Sequence, residues 1–213
     1  MKNFRRAKLM ITSMMAAFAL VLSMESKATL ITLSQASFAS PDVTFSEVPI
    51  GTALNGLTIN GFTFSETISN TFVSNIGPGN TSNITQPSAL GNDNPVGEII
   101  TIAMPSLMSE FGFGYALLAV GTVLDDVTIT LFNGAIDLGS LTYSASPDPS
   151  FPGGFAGIGS TNAFDSAEIV FSSSAAAFDF DNISANAVPE PATFALLSLG
   201  LAGLGFGKRR KQI

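Results

Sequence analysis

Short runs rich in Thr, Val, Ile and Phe recur through the middle of the chain, separated by clusters of Gly, Asn, Pro and Ser. Apolar residues alternate with polar ones at Val127, Ile129 and Leu131, a spacing that predicts a strand with one buried face. Phe178 and Phe180 predict another strand of the same kind. We expect about eight strands, in segments beginning at Asp42 (DVTFSE), Gly56 (GLTINGFTFSE), Gly97 (GEIITIAM), Ser109 (SEFGFGY), Asp125 (DDVTITLF), Ala135 (AIDLGSLTYS), Ser166 (SAEIVFS) and Ala177 (AFDFDNIS).

The pattern favours an all-β domain over residues 29–187. Asn60 and Gly61 lie between two extended runs and are typical of a two-residue hairpin turn. No apolar period of 3.6 residues is evident inside this stretch, so helices are not expected there. Roughly 160 residues are enough for one domain with its own core. The predicted architecture is an antiparallel β-sandwich of the jelly-roll kind, flanked by a signal helix and a transmembrane helix.

The N-terminal end carries the features of an export signal. MKNFRRAK is a basic segment, and it precedes an uncharged apolar stretch from Leu9 to Met24. Small residues at Ser26 and Ala28 fit a cleavage site, so residues 1–28 are predicted to be a signal peptide, with the mature chain beginning at Thr29. The expected partners are the Sec translocon and signal peptidase, and the alternative is an uncleaved signal anchor.

The C-terminal end carries a second apolar segment, residues 192–207, followed by a basic tail, 208–213. Sixteen helical residues reach about 24 Å, short of a hydrocarbon core of about 30 Å, so this helix is a marginal span. A basic cluster at this position favours the cytoplasmic side of the membrane, which leaves the domain outside. The cluster consists of Lys208, Arg209, Arg210 and Lys211.

Residues 188–213 closely resemble the PEP-CTERM sorting signal of Gram-negative bacteria. The resemblance rests on Pro189, Glu190 and Pro191, on the short apolar helix after them and on the terminal basic cluster. It implies an exported protein that is held briefly in the inner membrane and processed by an exosortase-type enzyme. The product would then reach the cell surface or the extracellular space.

Charge separates the ends of the chain from its middle. All nine Lys and Arg residues lie at or before Lys27 or at or after Lys208, and residues 29–191 carry fifteen acids and a formal charge of −15. A wholly acidic domain repels nucleic acid, so nucleic-acid binding is excluded. The absence of Cys and His, with no Lys in the domain, also argues against an ordinary nucleophilic triad. We therefore expect a protein that is not an enzyme.

Calcium is the cofactor that such oxygen-rich chemistry would suit. The segment from Val43 to Glu66 resembles the opening strands of exported jelly-roll domains, and Phe178 to Ile183 (FDFDNI) resembles their closing strand. The stretch from Phe155 to Ile169 resembles the strand pair before it. This resemblance implies a structural Ca²⁺ between the first turn and the last strand, held by Glu47, Asp179 and Asp181.

A second candidate loop contains Asn92, Asp93, Asn94 and Glu98. The alternative for both sets is that the acids are solvated or form Asx turns.

The predicted function is a structural or adhesive surface or matrix protein, with exopolysaccharide as a possible partner. The alternative is a carbohydrate-binding module of the same fold, and a secreted glycoside hydrolase comes third. Sugar sites present aromatic faces, but the domain has no Trp and only two tyrosines, Tyr115 and Tyr143. Phe151 and Phe155, in a Pro/Gly-rich segment, are the candidates for exposed rings, and the alternative for both is a role in the core.

Overall fold

A computed structural model describes residues 28–68, 70–78, 83–92, 98–171 and 175–189. These residues form an antiparallel all-β fold, and their one helical element is a 3₁₀ turn at Gln35–Ser37. No helix within the described ranges is long and apolar enough to cross a membrane. The predicted signal helix and the helix at 192–207 lie outside those ranges. The strands are β1 Leu30–Thr32, β2 Thr58–Ile59, β3 Phe62–Glu66, β4 Thr71–Ser74, β5 Ser88–Asn92, β6 Ile100–Leu117, β7 Val123–Asn133, β8 Ile136–Pro147, β9 Pro152–Phe171 and β10 Ala177–Ala187.

Hydrogen bonds join the strands in the order β4-β5-β10-β6-β9-β7-β8, with β3 also on β6 and β1 also on β9. β6 changes partners along its length. Its first residues pair with β3, and its later residues, from Met108 to Leu117, pair with β10. The register with β9 shifts between Ala103 and Met108, an irregularity of the kind that bends a strand.

Phe171 and Phe178 show that the sheet folds onto itself as two facing layers. Phe171 pairs with Val127 on β7, whereas Phe178 pairs with Leu117 on β6. Their rings nevertheless stack with centroids 4.0 Å apart. Side chains from the two halves of the sheet thus meet in one core, as the predicted sandwich requires.

Several predicted strands have different bounds in the structure. The segments beginning at Gly97 and Ser109 are parts of β6, and the strand pair expected within residues 155–169 is the single strand β9. Residues 42–47 are not a strand, because Val43 makes one isolated bridge to Ile183 and the chain then turns. The short strands β1, β4 and β5 were not predicted.

Two local predictions can be compared directly with the backbone and the burial pattern. The hairpin turn at Asn60 and Gly61 is confirmed, since the two residues have φ angles of 50° and 86°. The single buried face of β7 is confirmed by its alternating burial at Val127, Ile129 and Leu131. For β10 the prediction is wrong, because every residue from Ala177 to Ser184 is buried.

Candidate functional site

Two aspartates lie on the face of β10 opposite Phe178 and Phe180, where another part of the chain packs over them. Asp179 and Asp181 are fully buried. A Cβ atom added to Gly77 would lie 2.6 Å from Asp179 Oδ2, so the chain after β4 passes close to this carboxylate. Further along, the Thr85 amide donates to Asp181 Oδ2 at 3.0 Å. The described parts of the connection between β4 and β5, at Gly77 and Thr85, therefore lie over the second face of β10.

Residues 83–85, which we call the covering segment, pack on β6 at a position that has no side chain. Gly112 and Gly114 occupy alternate positions of β6, and Gly114 pairs with Asp181. A methyl group at Gly114 would overlap the Asn83 carbonyl oxygen. That oxygen accepts a hydrogen bond of 2.9 Å from Asn182 Nδ2. Gly114 is the sequence signal that could have revealed this contact, whereas a Cβ atom at Gly112 would meet the ring of Phe155.

Burial dominates the electrostatics of Asp181 and raises its pKa to about 8. The backbone amides of Asn182 and Thr85 lower this pKa, whereas the nearby charges of Glu47 and Asp179 raise it. Oδ1 of Asp181 has no hydrogen-bond partner among the described residues. A buried carboxylate with so few donors favours its protonated form, unless a cation binds nearby.

Glu47 is exposed and lies in the turn that follows the Val43 bridge. Its carboxylate accepts hydrogen bonds from the Thr44 amide at 3.2 Å and 3.3 Å and from the Thr44 hydroxyl at 3.2 Å. The structure thus brings the three predicted carboxylates into electrostatic contact, two of them inside the core and one at its surface.

The arrangement of these carboxylates is not that of a complete metal site. In the part of the chain that the structure describes, no group of three or more His, Cys, Asp or Glu side chains is placed to hold a metal ion. A Ca²⁺ ion at Glu47, Asp179 and Asp181 would need further oxygens from backbone, amide or water and a closer approach of Glu47. Calcium binding at this cluster stays a prediction.

The second candidate loop is described only at its edges. Asp93 and Asn94 lie outside the described residues. Glu98 is within them and is almost fully buried, with 4% of its surface exposed. It is therefore not the solvated loop acid that the sequence allowed as an alternative.

The predicted processing sites lie at the two ends of the described domain. Thr29 is held against β9, since its amide donates to Thr161 Oγ1 at 3.0 Å. Pro189 is the last described residue. Glu190, Pro191 and the basic cluster Lys208–Lys211 lie outside the described residues. Cleavage between Ala28 and Thr29 stays a prediction.

The four aromatic residues considered for sugar binding, all within the described part of the chain, do not form an exposed platform. Tyr115 and Tyr143 are buried, and their hydroxyl groups donate to the backbone oxygens of Ser144 and Gly157. Phe151 and Phe155 are half-buried rather than exposed. Phe155 lies within β9 and packs on Phe38, with ring centroids 5.7 Å apart.

The domain has a small pocket at the start of the described chain. A pocket of about 130 Å³ lies beside Thr29 and Glu110. Small-molecule sites usually occupy roughly 300–1,000 Å³, so this pocket is not large enough for a drug-sized ligand.

Residues 187–211 match the PEP-CTERM protein-sorting motif. The match begins at Ala187, the last residue of β10, and it confirms the predicted sorting signal at this end of the chain. A search of curated proteins found no match.

Solved structures give distant likenesses. A family 29 carbohydrate-binding module is 11% identical, with 79% of this chain and 98% of that chain covered and a TM-score of 0.40. A variant of CBM29-2 complexed with cellulohexaose is 10% identical, covering 76% of this chain and 94% of that chain, at a TM-score of 0.39. The enzymatically active domain of tailspike protein 4 from bacteriophage CBA120 is 16% identical, covering 63% of this chain and 22% of that chain, at 0.37. Likenesses at this level assign no ligand and no activity to the chain.

Proposed function

We propose that this chain is an exported precursor that an exosortase-type enzyme processes at Pro189–Pro191, and that its sandwich serves as a structural or adhesive module at the cell surface. The observation that carries the proposal is the sorting motif at residues 187–211. A sorting motif supports export as the route of the protein, with the domain as the part that is delivered.

The end of β10 suits a sequence that a protease must reach. β10 lies between β5 and β6 in the sheet, and burial decreases along it from Ser184 to the exposed Ala187. The Val188 amide still donates to the Leu107 carbonyl at 3.2 Å. Pro189 is exposed, and each proline disfavours helix in the residue before it. An extended, accessible motif at the edge of a folded domain is the expected result.

A structural role for the domain is supported by its chemistry. Residues 28–207 contain no Lys, Arg, His or Cys, which argues against an ordinary nucleophilic triad. The two tyrosines use their hydroxyl groups inside the core. The carbohydrate-binding alternative would then need half-buried phenylalanines as its platform. A glycan array probed with the full-length chain separates the two roles, since tight binding to one defined glycan would replace the structural role by a lectin-like one.

Substitution within the motif tests the processing step. Glu190→Ala should leave export and membrane insertion intact, because the apolar segment is unchanged, and should make uncleaved precursor accumulate in the membrane fraction. Val188→Ala is the matched control, since it changes the same segment outside Pro-Glu-Pro and should be processed normally. Equal processing of both variants, in a host with an exosortase, would show that the motif is not what the enzyme reads.

A further inference from the structure

Two glutamates occupy core-facing positions near the ends of adjacent strands. Glu66 follows Phe64 at the two-residue spacing of the inner face of β3, and Glu98 precedes Ile100 at the same spacing. Glu66 pairs with Ile100, and the strands stay side by side beyond this point because the Thr67 amide donates to the Ile99 carbonyl at 3.1 Å. Since side chains alternate across a strand, both carboxyl groups point into the sandwich.

The two carboxyl groups face each other without a cationic neighbour. They lie within hydrogen-bonding reach of one another, but such a bond needs a proton on one of them. Among the described residues, no other group donates to either oxygen of Glu98 or to Oε1 of Glu66. Oε2 of Glu66 accepts from the Thr71 amide at 3.1 Å. Three buried carboxylate oxygens are therefore left without a donor.

Thr71 adds a fourth oxygen at the same place. Its side chain has 2% of its surface exposed, and its Oγ1 makes no hydrogen bond with the described residues. The hydrogen bond from its own amide to Oε2 places Thr71 next to Glu66. A buried hydroxyl without a partner costs stability unless something binds it, and a hydroxyl oxygen can act as a ligand of a hard cation.

Two charged species are candidates to compensate these oxygens at the described residues. Residues 28–207 include no Lys, Arg or His, so no side chain can form an ion pair with the glutamates. The remaining candidates are a proton and a metal ion. A proton would satisfy one carboxyl but would leave the Thr71 oxygen and most of the carboxylate oxygens without partners, whereas carboxylate and hydroxyl oxygens are both ligands that a hard cation accepts.

We propose that Glu66, Glu98 and Thr71 form a binding site for a hard divalent cation of the Ca²⁺ class. Two bidentate carboxylates and a hydroxyl supply up to five of the six to eight oxygens that Ca²⁺ takes, and water or backbone carbonyls complete the shell. The site is separate from the predicted cluster at Asp181, because Glu66 pairs near the start of β6 and Asp181 pairs near its end. It does not depend on the sorting function.

Calorimetric titration of CaCl₂ into the full-length chain, purified in detergent and freed of metal by a chelator, tests the site. Glu98→Gln keeps the shape of the carboxyl group but removes its charge, and it should weaken Ca²⁺ binding at this site at least tenfold. Thr71→Val removes the orphaned hydroxyl and should weaken binding several-fold. In chelator, Thr71→Val should not lower the melting temperature, because it deletes an unpartnered buried polar atom.

Asp125→Asn is the matched control for charge. Asp125 is exposed and has a positive φ of 51°, which Asn tolerates, so this variant should bind Ca²⁺ as the wild type does. Asp181→Asn in parallel leaves the Glu66 site intact. Should Glu98→Gln not fold, as judged by circular dichroism, Glu66→Gln and Thr71→Val decide the question.

Titrations of Glu98→Gln and Thr71→Val that match the wild type in affinity and stoichiometry would overturn the site. The glutamate pair would then be held by a shared proton alone.

Discussion

The amide of Thr85 donates a hydrogen bond of 3.0 Å to Oδ2 of Asp181, and this bond attaches the covering segment to a strand that is buried on both faces. The contact joins residues that are far apart in sequence and places a carboxylate where water does not reach. Its consequence is that the protonation of one side chain is linked to the stability of the whole domain.

That linkage predicts lower stability at higher pH. The pKa of Asp181 rises from the ordinary value of 3.8 to about 8 in the folded state, chiefly through burial. The folded state then holds a proton that the unfolded state has lost, so the free energy of unfolding is highest near pH 4 and decreases as the pH approaches about 8. In chelator, chemical denaturation from about pH 4 to 9 should show this decline.

Glu98 contributes a decline of the same sign over a lower range. Its pKa is raised from 4.5 to about 7, first by burial and then by Glu66. The decline between about pH 7 and 8 should therefore belong mainly to Asp181, and Asp181→Asn should flatten it. A wild type whose stability rises from pH 5 to pH 8 would contradict this reading of the buried carboxyl.

Calcium should stabilise the domain through the predicted cluster at Glu47, Asp179 and Asp181. A cation that binds only the folded state adds stability by mass action, and it also neutralises carboxylates that have no cationic partner. Scanning calorimetry should show a larger rise in melting temperature with CaCl₂ than with NaCl of equal ionic strength, which only screens charge.

Asp181→Asn should remove the part of this rise that the cluster contributes, and the double variant with Glu98→Gln should remove all of it. An undiminished Ca²⁺-specific rise in Asp181→Asn would eliminate the cluster at Asp181 as a calcium site.

Gly114 should be intolerant of any side chain. A methyl group there would overlap the Asn83 carbonyl oxygen, so Gly114→Ala should displace the covering segment and cost about 1–3 kcal/mol of unfolding free energy. Amide hydrogen exchange of Thr85 should become faster in this variant. Gly121→Ala is the control, since a methyl group there meets nothing within 4 Å and costs only the strain of a left-handed backbone, about 1 kcal/mol. Unchanged protection of Thr85 in Gly114→Ala would mean that the segment does not depend on this contact.

The sequence predicted the fold where local chemistry determines it. Asn60 and Gly61 specify their hairpin turn through positive φ angles, and the alternation at Val127, Ile129 and Leu131 requires one buried face. It did not predict the length of β6, because Pro105 and Ser106 are typical of a turn, whereas in the structure they lie inside one strand that bends and changes partners between Ala103 and Met108. The Gly and Pro residues of β9 likewise lie within one continuous strand. The strand expected from Asp42 does not form, because Phe45 has a φ of 54°. Local β propensity does not predict a positive φ at a phenylalanine.

The candidate sites also depend on contacts between remote segments, which the local sequence does not predict. Asp179 and Asp181 were identified as acids on the closing strand, but their burial depends on a segment that lies nearly a hundred residues earlier in the chain. Glu66 and Glu98 come together only through pairing between β3 and the start of β6. Burial that results from contacts between remote segments is not encoded in the spacing of residues along one strand. The sequence therefore identified these acidic residues but did not predict which of them lie together.

The basic cluster at the C-terminal end should control orientation in the membrane. Replacing Lys208, Arg209, Arg210 and Lys211 with Gln removes the positive charge that favours the cytoplasmic side. Because the apolar segment at 192–207 is a marginal span, precursor should then be released or inserted in mixed orientations, as measured by protease accessibility in spheroplasts. Retention in a single orientation would mean that the apolar segment suffices without the cluster.

The most direct test of the central claim is mass spectrometry of the C-terminal peptide from the exported wild-type protein, isolated from a host that has an exosortase. The account predicts a chain that ends near Pro189–Pro191 and lacks ATFALLSLGLAGLGFG and the basic tail. An intact C-terminus at Ile213 on the mature surface protein would contradict it.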